Sequence, residues 1–363
     1  RQRVEILKAI LRGARLLILD EPTSILSPPE IARLLDFLRR FRAEGRSVVF
    51  ITHKLGEVLE VADQVVVLRA GEVSGRCPAQ GATRESLARL MVGREVAAVA
   101  RPAARAAGDV LLRADHLAAR DASGAQRLRD ASFELRAGEV LALAGIDGNG
   151  QQELADALAG LALPAAGRIA LDGRDITVLS AQARVAAGIA YIPADRAGTS
   201  LVQAMSIEDN LLLRDVGRAP FSRHGRLQPG ARREHALRSM RDFDIRAAGP
   251  TLAARALSGG NQQKVALARE IGRDPRVVIA FQPTWGLDPG ATRFVIDTLL
   301  ALRDRGGAVL YISSELEEVL AVGDRVGVLS GGRIVDVMDR ADATLERIGL
   351  AMGGAHAAQE VPA

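Results

Sequence analysis

Apolar residues along the chain fall into short runs that alternate with longer amphipathic segments. The runs at residues 16–20 and 48–52 have the length and composition of strands buried on both faces, and residues 65–68 form a third run. Between the first two, residues 29–44 carry apolar positions at helical spacing. Strands that alternate with helices in this way form a parallel sheet with helices on its faces, so the sequence predicts an α/β fold.

This pattern occurs twice in the chain. The string Arg-Leu-Leu-Ile-Leu-Asp-Glu-Pro-Thr at residues 15–23 resembles Arg-Val-Val-Ile-Ala-Phe-Gln-Pro-Thr at residues 276–284, which begins 261 residues later. The register holds without a gap from about residue 2 to residue 71. A repeat of this length predicts two copies of one folded unit.

The expected domain boundaries follow from this repeat and from a change in composition. We expect the C-terminal part of a first domain at residues 1–96 and a second domain at residues 109–350. Residues 97–108, rich in Ala, Pro and Arg, are typical of a linker, and residues 351–363 of a tail. The chain begins without a methionine and runs directly into helical periodicity, so we expect that it lacks the natural start of the protein.

Composition narrows the function classes. Lys and Arg exceed Asp and Glu by only four charges, and no long run of one sign occurs, which argues against a protein built to bind nucleic acid. Cys77 is the single cysteine, so the chain can form neither an internal disulfide nor a multi-cysteine metal site. No apolar stretch approaches the length needed to cross a bilayer.

The string Leu-Ser-Gly-Gly-Asn-Gln-Gln-Lys at residues 257–264 is the most specific short motif in the sequence. It opens a predicted helix that runs to about residue 272. At the N-terminus of such a helix, unpaired N–H groups and the positive end of the helix dipole favour the binding of an anion. A plain glycine N-cap is the alternative, and the position of the motif just before the repeated strand weakens that alternative. The candidate ATP-binding residues here are Ser258, Gly259, Gly260 and Gln262.

These motifs resemble those of the ATPases of ABC transporters. Residues 257–264 look like the family's signature motif, residues 20–23 match its Walker B motif, and His53 matches its switch histidine. The duplicated form resembles bacterial ribose and galactose importers, which carry two nucleotide-binding domains on one chain. The resemblance covers nearly the whole chain. It implies a P-loop NTPase-like fold with a parallel sheet core between helices, an antiparallel β portion and a helical subdomain.

In the first unit the resemblance implies a role for each of three residues. Asp20 would hold Mg²⁺, usually through water, Glu21 would polarise the attacking water or accept its proton, and His53 would contact the γ-phosphate of ATP. An acidic pair that merely caps a strand end is the alternative. The repeat and the order of the motifs argue against it.

A string that is similar to a phosphate loop lies at residues 145–152, in the second unit. It keeps the glycine spacing of G-x-x-x-x-G-K-[ST], but Gln151 replaces the lysine and Gln152 replaces the residue that binds Mg²⁺. Its backbone N–H groups remain able to cradle phosphates. The candidate ATP-binding residues of this loop are Gly145, Gly148, Asn149, Gly150, Gln151 and Gln152.

The second unit also departs from the family at its other catalytic positions. Phe281 and Gln282 replace the Walker B Asp and Glu, and Ser314 replaces the switch histidine. We therefore hypothesise that the second loop binds nucleotide weakly or without hydrolysis. Because cassettes of the family pair head to tail, residues 258–260 would complete the first unit's site. We expect little ATPase activity from a chain that lacks that unit's own phosphate loop.

Residues 191–196 stand where the family has its Q-loop. In the family, this region and the helical subdomain after it contact the membrane subunit. A plain exit from a strand into a loop explains the same residues equally well.

The resemblance implies the ATPase subunit of a bacterial importer for simple sugars or nucleosides, with ATP and Mg²⁺ as its ligands. Its partners would be integral membrane permease subunits and, through them, a solute-binding lipoprotein or periplasmic protein, at the cytoplasmic face of the plasma membrane. The strings at residues 144–151 and 280–288 resemble the nucleoside branch. One alternative is a soluble tandem ABC ATPase acting on ribosomes or DNA, but such proteins generally keep both sites intact. A second alternative is a non-catalytic nucleotide-binding regulator, and the presence of Asp20, Glu21 and His53 argues against it.

Overall fold

The computed structural model describes residues 8, 13–23, 28–52, 54–69, 72–83, 86–87, 90, 107–146 and 148–352. His53, Asp147, most of the expected linker and the tail from residue 353 onward therefore lie outside the described residues. The chain divides into two compact units. These are Arg1–Ala98 with Asp288–Gly290, and Val99–Leu287 with Ala291–Ala363.

The described part of the first unit contains two pairs of strands. The elements are β1 (Leu16–Asp20), α1 (Pro28–Ala43), β2 (Ser47–Ile51), α2 (Leu55–Val61), β3 (Gln64–Arg69) and β4 (Glu72–Pro78). Strands β1 and β2 pair in parallel, and β3 and β4 form an antiparallel hairpin.

Helix α1 has the sequence features of a helix and supplies part of the first unit's core. Glu30 lies in its first turn and Arg40 and Arg42 lie in its last turn, where these charges complement the helix dipole. Its apolar residues pack on one face of β1. The buried cluster comprises Leu17, Leu19, Leu35, Leu38 and Phe41.

The expectation that residues 16–20 and 48–52 form strands buried on both faces is wrong for the described part of this unit. In β1, Leu17 and Leu19 are buried, whereas Leu16 and Ile18 are 52% and 66% exposed. Val49 and Ile51 of β2 are exposed as well. Because alternate side chains of a strand point to opposite faces, this two-stranded sheet is covered on one face only within the described residues.

The described strands of the second unit are β5 (Val110–Arg120), β6 (Gln126–Arg136), β7 (Val140–Gly145), β8 (Ala166–Leu171), β9 (Arg174–Asp175), β10 (Ile189–Ile192), β11 (Ser222–Arg223), β12 (Arg226–Leu227), β13 (Val277–Phe281), β14 (Ala308–Ser313), β15 (Arg325–Ser330) and β16 (Arg333–Asp339). Ten of them form one sheet with the order β10-β13-β14-β7-β15-β16-β6-β5-β8-β9. Strands β11 and β12 form a separate hairpin. The helices are α3 (Gln151–Ala159), α4 (Ala181–Ala186), α5 (Ile207–Leu212), α6 (Pro229–Asp242), α7 (Gly259–Ile271), α8 (Pro289–Asp304), α9 (Leu316–Val322) and α10 (Leu345–Met352).

The sheet has a parallel half and a mainly antiparallel half. Strands β10, β13, β14, β7 and β15 pair in parallel with one another in that order, and β6, β5, β8 and β9 pair antiparallel in that order. Between the two halves, β16 pairs antiparallel with β15 and in parallel with β6. The parallel strands β7, β13 and β14 are buried throughout because both faces are covered. In β7, Leu141 and Leu143 pack with Leu154 of α3, while Ala142 on the other face belongs to the cluster that contains Leu299 of α8.

A third apolar cluster forms a helical portion of the second unit. It joins Ile207 and Leu211 of α5 to Ala236 of α6 and Val265 of α7. This portion, the parallel core with helices on both faces and the antiparallel strands together confirm the predicted fold class. No helix within the described ranges combines the length and the apolar character needed to span a membrane.

The repeat found in the sequence is also present in the structure. Strand β1 and helix α1 recur 261 residues later as β13 and α8, with the same lengths. Side-chain contacts recur too. Arg42 bonds Asp63 at 2.7 Å, and Arg303 bonds Asp324 at 3.0 Å at the same offset.

Candidate functional site

The acidic pair of the first unit lies at the carboxyl end of β1. Asp20 is the last residue of the strand and its side chain is exposed. Glu21 follows in a left-handed conformation, with φ 44°, and its backbone N–H donates to the carbonyl of Ile51 at 2.9 Å. Such a conformation is unfavourable for a residue with a side chain, so the surrounding structure must hold it.

The second unit holds the equivalent residue in the same way. Gln282, after Phe281 at the end of β13, has φ 48°, and its N–H donates to the carbonyl of Ile312 at 2.8 Å. Its side-chain Nε2 donates to Oγ of Ser314 at 3.1 Å. The backbone geometry at the end of the strand is therefore the same in both units, while in the second unit a neutral amide takes the place of the carboxylate.

A threonine and a glutamate behind each strand end were missed by the sequence reasoning. Thr23 donates from Oγ1 to Oε2 of Glu57 at 2.8 Å in the first unit, and Thr284 bonds Glu318 at 2.6 Å in the second. Both glutamates follow their threonines by 34 residues. That shared spacing within the repeat is the signal that could have identified the pair.

The phosphate-loop-like string connects β7 to α3, as the sequence predicts. Gly148 and Gly150 have φ 87° and 99°, and Gly150 is the N-cap of α3. A Cβ at Gly150 would lie 2.8 Å from the carbonyl oxygen of Arg127, so only glycine fits there. The loop therefore keeps the backbone turn that the glycine spacing predicts.

The two glutamines of this loop have different contacts. Gln151 is buried, and its Nε2 donates to the carbonyl of Ile146 at 2.7 Å. Gln152 donates from Nε2 to Asp156 at 2.9 Å and to the hydroxyl of Tyr191 at 3.3 Å. Burial, together with the charge of Asp156, raises the pKa of Tyr191, so its hydroxyl stays protonated.

The signature motif begins helix α7, as predicted. Ser258 is the N-cap, and its Oγ accepts from N and Nδ2 of Asn261 at 3.4 and 3.0 Å. Gly259 and Gly260 are the first two residues of a 13-residue helix. The N–H groups of the first turn and the positive end of the helix dipole favour the binding of an anion at the start of α7.

Gln262 has a different position from the glycines of the motif. Its Nε2 lies 3.2 Å from the carbonyl oxygens of both Ala254 and Leu257, so the side chain contacts the turn that precedes the helix. Gln263, which is buried, donates to the carbonyl of Pro283 at 2.8 Å. This bond joins the signature helix to the segment after β13.

Arg196 is the last residue of segment 191–196, and its contacts were not predicted from the sequence. It lies after β10, where the family has its Q-loop, and donates from Nη1 to the carbonyl of Trp285. Its Nη2 would lie 3.4 Å from a Cβ at Gly259, so the guanidinium packs against the signature motif. Through Arg196, segment 191–196 thus contacts both the residues that follow β13 and the start of α7.

The fold and these motifs define an ATP-binding cassette. Residues 128–284 match the family model described as ABC transporter. A solved nucleotide-free ATP-binding cassette from an ABC transporter superposes with a TM-score of 0.55 and 22% identity, covering 64% of this chain and 92% of that one. At this identity the likeness concerns the fold alone.

Curated relatives are more similar in sequence. The nucleoside import ATP-binding protein NupA of Lactococcus lactis subsp. cremoris is 40% identical over 97% of this chain and 70% of its own length. The guanosine import ATP-binding protein NupO of Bacillus subtilis is 41% identical over 97% and 69%. The ribose import ATP-binding protein RbsA 1 of Rubrobacter xylanophilus is 40% identical over 99% and 70%.

The chain therefore belongs to the ABC transporter family. The family predicted from the motifs is confirmed, and so is the nucleotide-binding function. The chain spans 70% of the length of the Lactococcus relative and 64% of a glucose import ATP-binding protein, TsgD13, of Haloferax volcanii.

Proposed function

We propose that this chain belongs to the ATP-hydrolysing subunit of an importer for nucleosides or simple sugars. The names of the relatives from Lactococcus, Bacillus and Rubrobacter support both solute classes. The strings at residues 144–151 and 280–288 favour nucleosides. The proposed partners are integral membrane permease subunits at the cytoplasmic face of the plasma membrane and, through them, a solute-binding lipoprotein or periplasmic protein.

We propose that only one site hydrolyses ATP, because the residues at the ends of β1 and β13 differ. The first unit has Asp20 and Glu21 at the end of β1, whereas the second has Phe281 and Gln282 at the equivalent positions. A carboxylate can accept a proton from water, and a carboxamide cannot do so near neutral pH. Hydrolysis is therefore assigned to the site that contains the first pair.

The residues at the end of β1 fit a magnesium ion. Mg²⁺ is bound through one or two carboxylates, several waters and substrate phosphates, and the exposed Asp20 supplies such a carboxylate. The ion would neutralise charge on the phosphates. Glu21 would orient the attacking water and accept its proton, and His53 would contact the γ-phosphate. Phe281 offers no oxygen ligand, so the equivalent position of the second unit does not fit the ion.

The signature motif would bind the terminal phosphate of ATP. Ser258, Gly259 and Gly260 begin a 13-residue helix whose first N–H groups suit an anion, and Gln262 would fix the turn before it. In the second loop, nucleotide would bind weakly or without hydrolysis. The residues proposed for that binding are Gly145, Gly148, Asn149, Gly150, Gln151 and Gln152.

The experiment uses the full-length subunit assembled with its permease in membrane vesicles. We expect Glu21→Gln to lower ATP hydrolysis by roughly 100-fold or more, because it removes the base. The matched control, Gln282→Asn, changes a residue with the same backbone conformation in the second unit and should change the rate less than about twofold. Equal losses in the two variants would contradict the assignment. Uptake of labelled guanosine and labelled ribose in the same vesicles would test the solute class.

A further inference from the structure

The guanidinium of Arg196 lies against two separate segments of the second unit. Its Nη1 donates to the carbonyl of Trp285. Its Nη2 would lie 3.4 Å from a Cβ at Gly259 and 3.6 Å from one at Gly286, so the planar group packs on the backbone of both glycines. Gly259 is the first residue of α7, and Gly286 lies in the turn after β13. One side chain therefore contacts the start of the signature helix and the turn that follows the strand.

The backbone that carries Arg196 is fixed at both ends of a short turn. Asp195 precedes the turn, and its Oδ1 accepts from two of the turn's backbone N–H groups at 3.0 and 2.8 Å. At the other end, the carbonyl of Ser200 accepts from Nη1 of Arg269 at 2.7 Å. Arg269 belongs to α7 and is only 5% exposed. The turn is therefore bound to the signature helix independently of Arg196, which holds the guanidinium in place.

The charge of Arg196 is not placed where it would stabilise α7. A cation is favourable at the C-terminal end of a helix dipole and unfavourable at the N-terminal end, where Arg196 lies. Burial also lowers the pKa of Arg196, while the neighbouring Asp195 acts in the opposite direction. The stability of α7 therefore does not explain this position. The guanidinium adds positive potential at the place where the terminal phosphate of ATP is proposed to bind.

We propose that Arg196 is a positioning residue for ATP hydrolysis, which holds the first turn of α7 at a fixed place relative to the turn after β13. Gln263 links the same two segments through the carbonyl of Pro283, but from farther along the helix. Loss of Arg196 should therefore displace the first turn of α7 without releasing the rest of the helix. The inference rests on the proposed function and adds a residue to the site described there.

Trp285 provides a direct probe of this contact because it is the only tryptophan of the chain. Its fluorescence is measured in the full chain. Arg196→Gln removes the bond to the Trp285 carbonyl, so the anisotropy of Trp285 should fall and its quenching by acrylamide should rise. Arg305→Gln makes the same chemical change at an exposed position after α8 and should leave both signals as in wild type. The urea midpoints of the two variants should agree.

The second readout is steady-state ATP hydrolysis by the full-length subunit with its permease, expressed per folded subunit. Contacts with the terminal phosphate count most in the transition state, so Arg196→Gln should lower kcat by roughly tenfold and change KM by less than about twofold. Arg196→Lys keeps the charge and a donor, but a compact ammonium cannot lie against both glycines. Its kcat should stay about threefold below wild type. Arg305→Gln should retain the wild-type kcat.

Three results would overturn the proposal. The first is an unchanged Trp285 signal in Arg196→Gln, and the second is a mobile Trp285 with a wild-type kcat. The third is full recovery of kcat in Arg196→Lys, because charge alone would then account for the effect. Arg196→Lys also decides the matter if Arg196→Gln does not fold.

Failure of the proposed function would be visible separately. In that case Glu21→Gln would hydrolyse ATP at the wild-type rate. If only the role of Arg196 is wrong, Glu21→Gln remains inactive while Arg196→Gln hydrolyses ATP normally. The fluorescence of Trp285 depends on neither outcome, since it requires no hydrolysis.

Discussion

Thr284 and Glu318 form a hydrogen bond of 2.6 Å between Oγ1 and Oε2, behind the end of the strand that carries Gln282. The hydroxyl of Tyr311 donates to the same carboxylate oxygen at 2.6 Å. Burial and the charge of Glu318 raise the pKa of Tyr311, so that hydroxyl remains a donor. The first unit has the same bond between Thr23 and Glu57, at 2.8 Å. This pair is therefore part of the repeated unit and does not depend on catalytic residues.

The first prediction concerns the stability of this pair. Thr284→Val removes a hydroxyl donor to a partly buried carboxylate, and hydrogen bonds to charged groups contribute about 1.5–3 kcal/mol. We expect a loss of about 2 kcal/mol in the free energy of unfolding, measured by urea denaturation. Thr251→Val, at an exposed position, is the control and should cost less than about 0.5 kcal/mol. A loss in Thr284→Val no larger than in the control would mean that the bond contributes nothing measurable.

Regular elements with a strong local signal could be predicted closely from the sequence. Residues 16–20 and the helix after Ser258 have the expected positions because apolar runs, caps and glycines act over a few residues. The burial of β1 could not be predicted in the same way. Full burial depends on elements that cover both faces, and within the described residues one face of β1 is left open.

Contacts made by polar side chains were the part of the site that sequence patterns did not predict. Arg184 is fully buried, and its guanidinium donates to the carbonyls of Ala157 and Leu158 at the end of α3. Gln151 was expected only as a lost lysine, whereas its amide bonds the loop itself. Some of these contacts join residues that are brought together only by folding, and others depend on the rotamer that a side chain adopts. The spacing of residues along the sequence shows neither of these.

The second prediction is a pH dependence that arises from His235 in α6. Its ring packs edge-on against Phe221, with centroids 5.0 Å apart. Burial, with the nearby positive charge of Arg238, lowers the pKa of His235, while Asp215 acts in the opposite direction. The folded state therefore favours the neutral ring. The unfolded state binds the proton first as pH falls, and stability is lost below the usual histidine pKa of about 6.5.

The measurement for His235 is urea unfolding between about pH 7.5 and pH 5.5, on either side of that usual value. The wild-type chain should lose stability as the pH falls, and His235→Gln should lose less. His224→Gln, at an exposed position on the neighbouring hairpin, should behave like wild type. If all three chains lose the same amount, burial of this ring is not the source of the pH dependence.

The third prediction separates two roles of Ser258. Its Oγ caps helix α7, so Ser258→Ala should cost about 1 kcal/mol of stability, as for other N-cap serines. Ser180 caps α4 by accepting from Ala183 N at 3.3 Å, and Ser180→Ala should cost about the same. If Ser258 also binds the terminal phosphate, only Ser258→Ala should lower ATP hydrolysis by the full-length subunit with its permease, by roughly tenfold or more. Urea unfolding and steady-state hydrolysis of both variants provide the test. Equal rates in the two would mean that the hydroxyl of Ser258 acts as a helix cap alone.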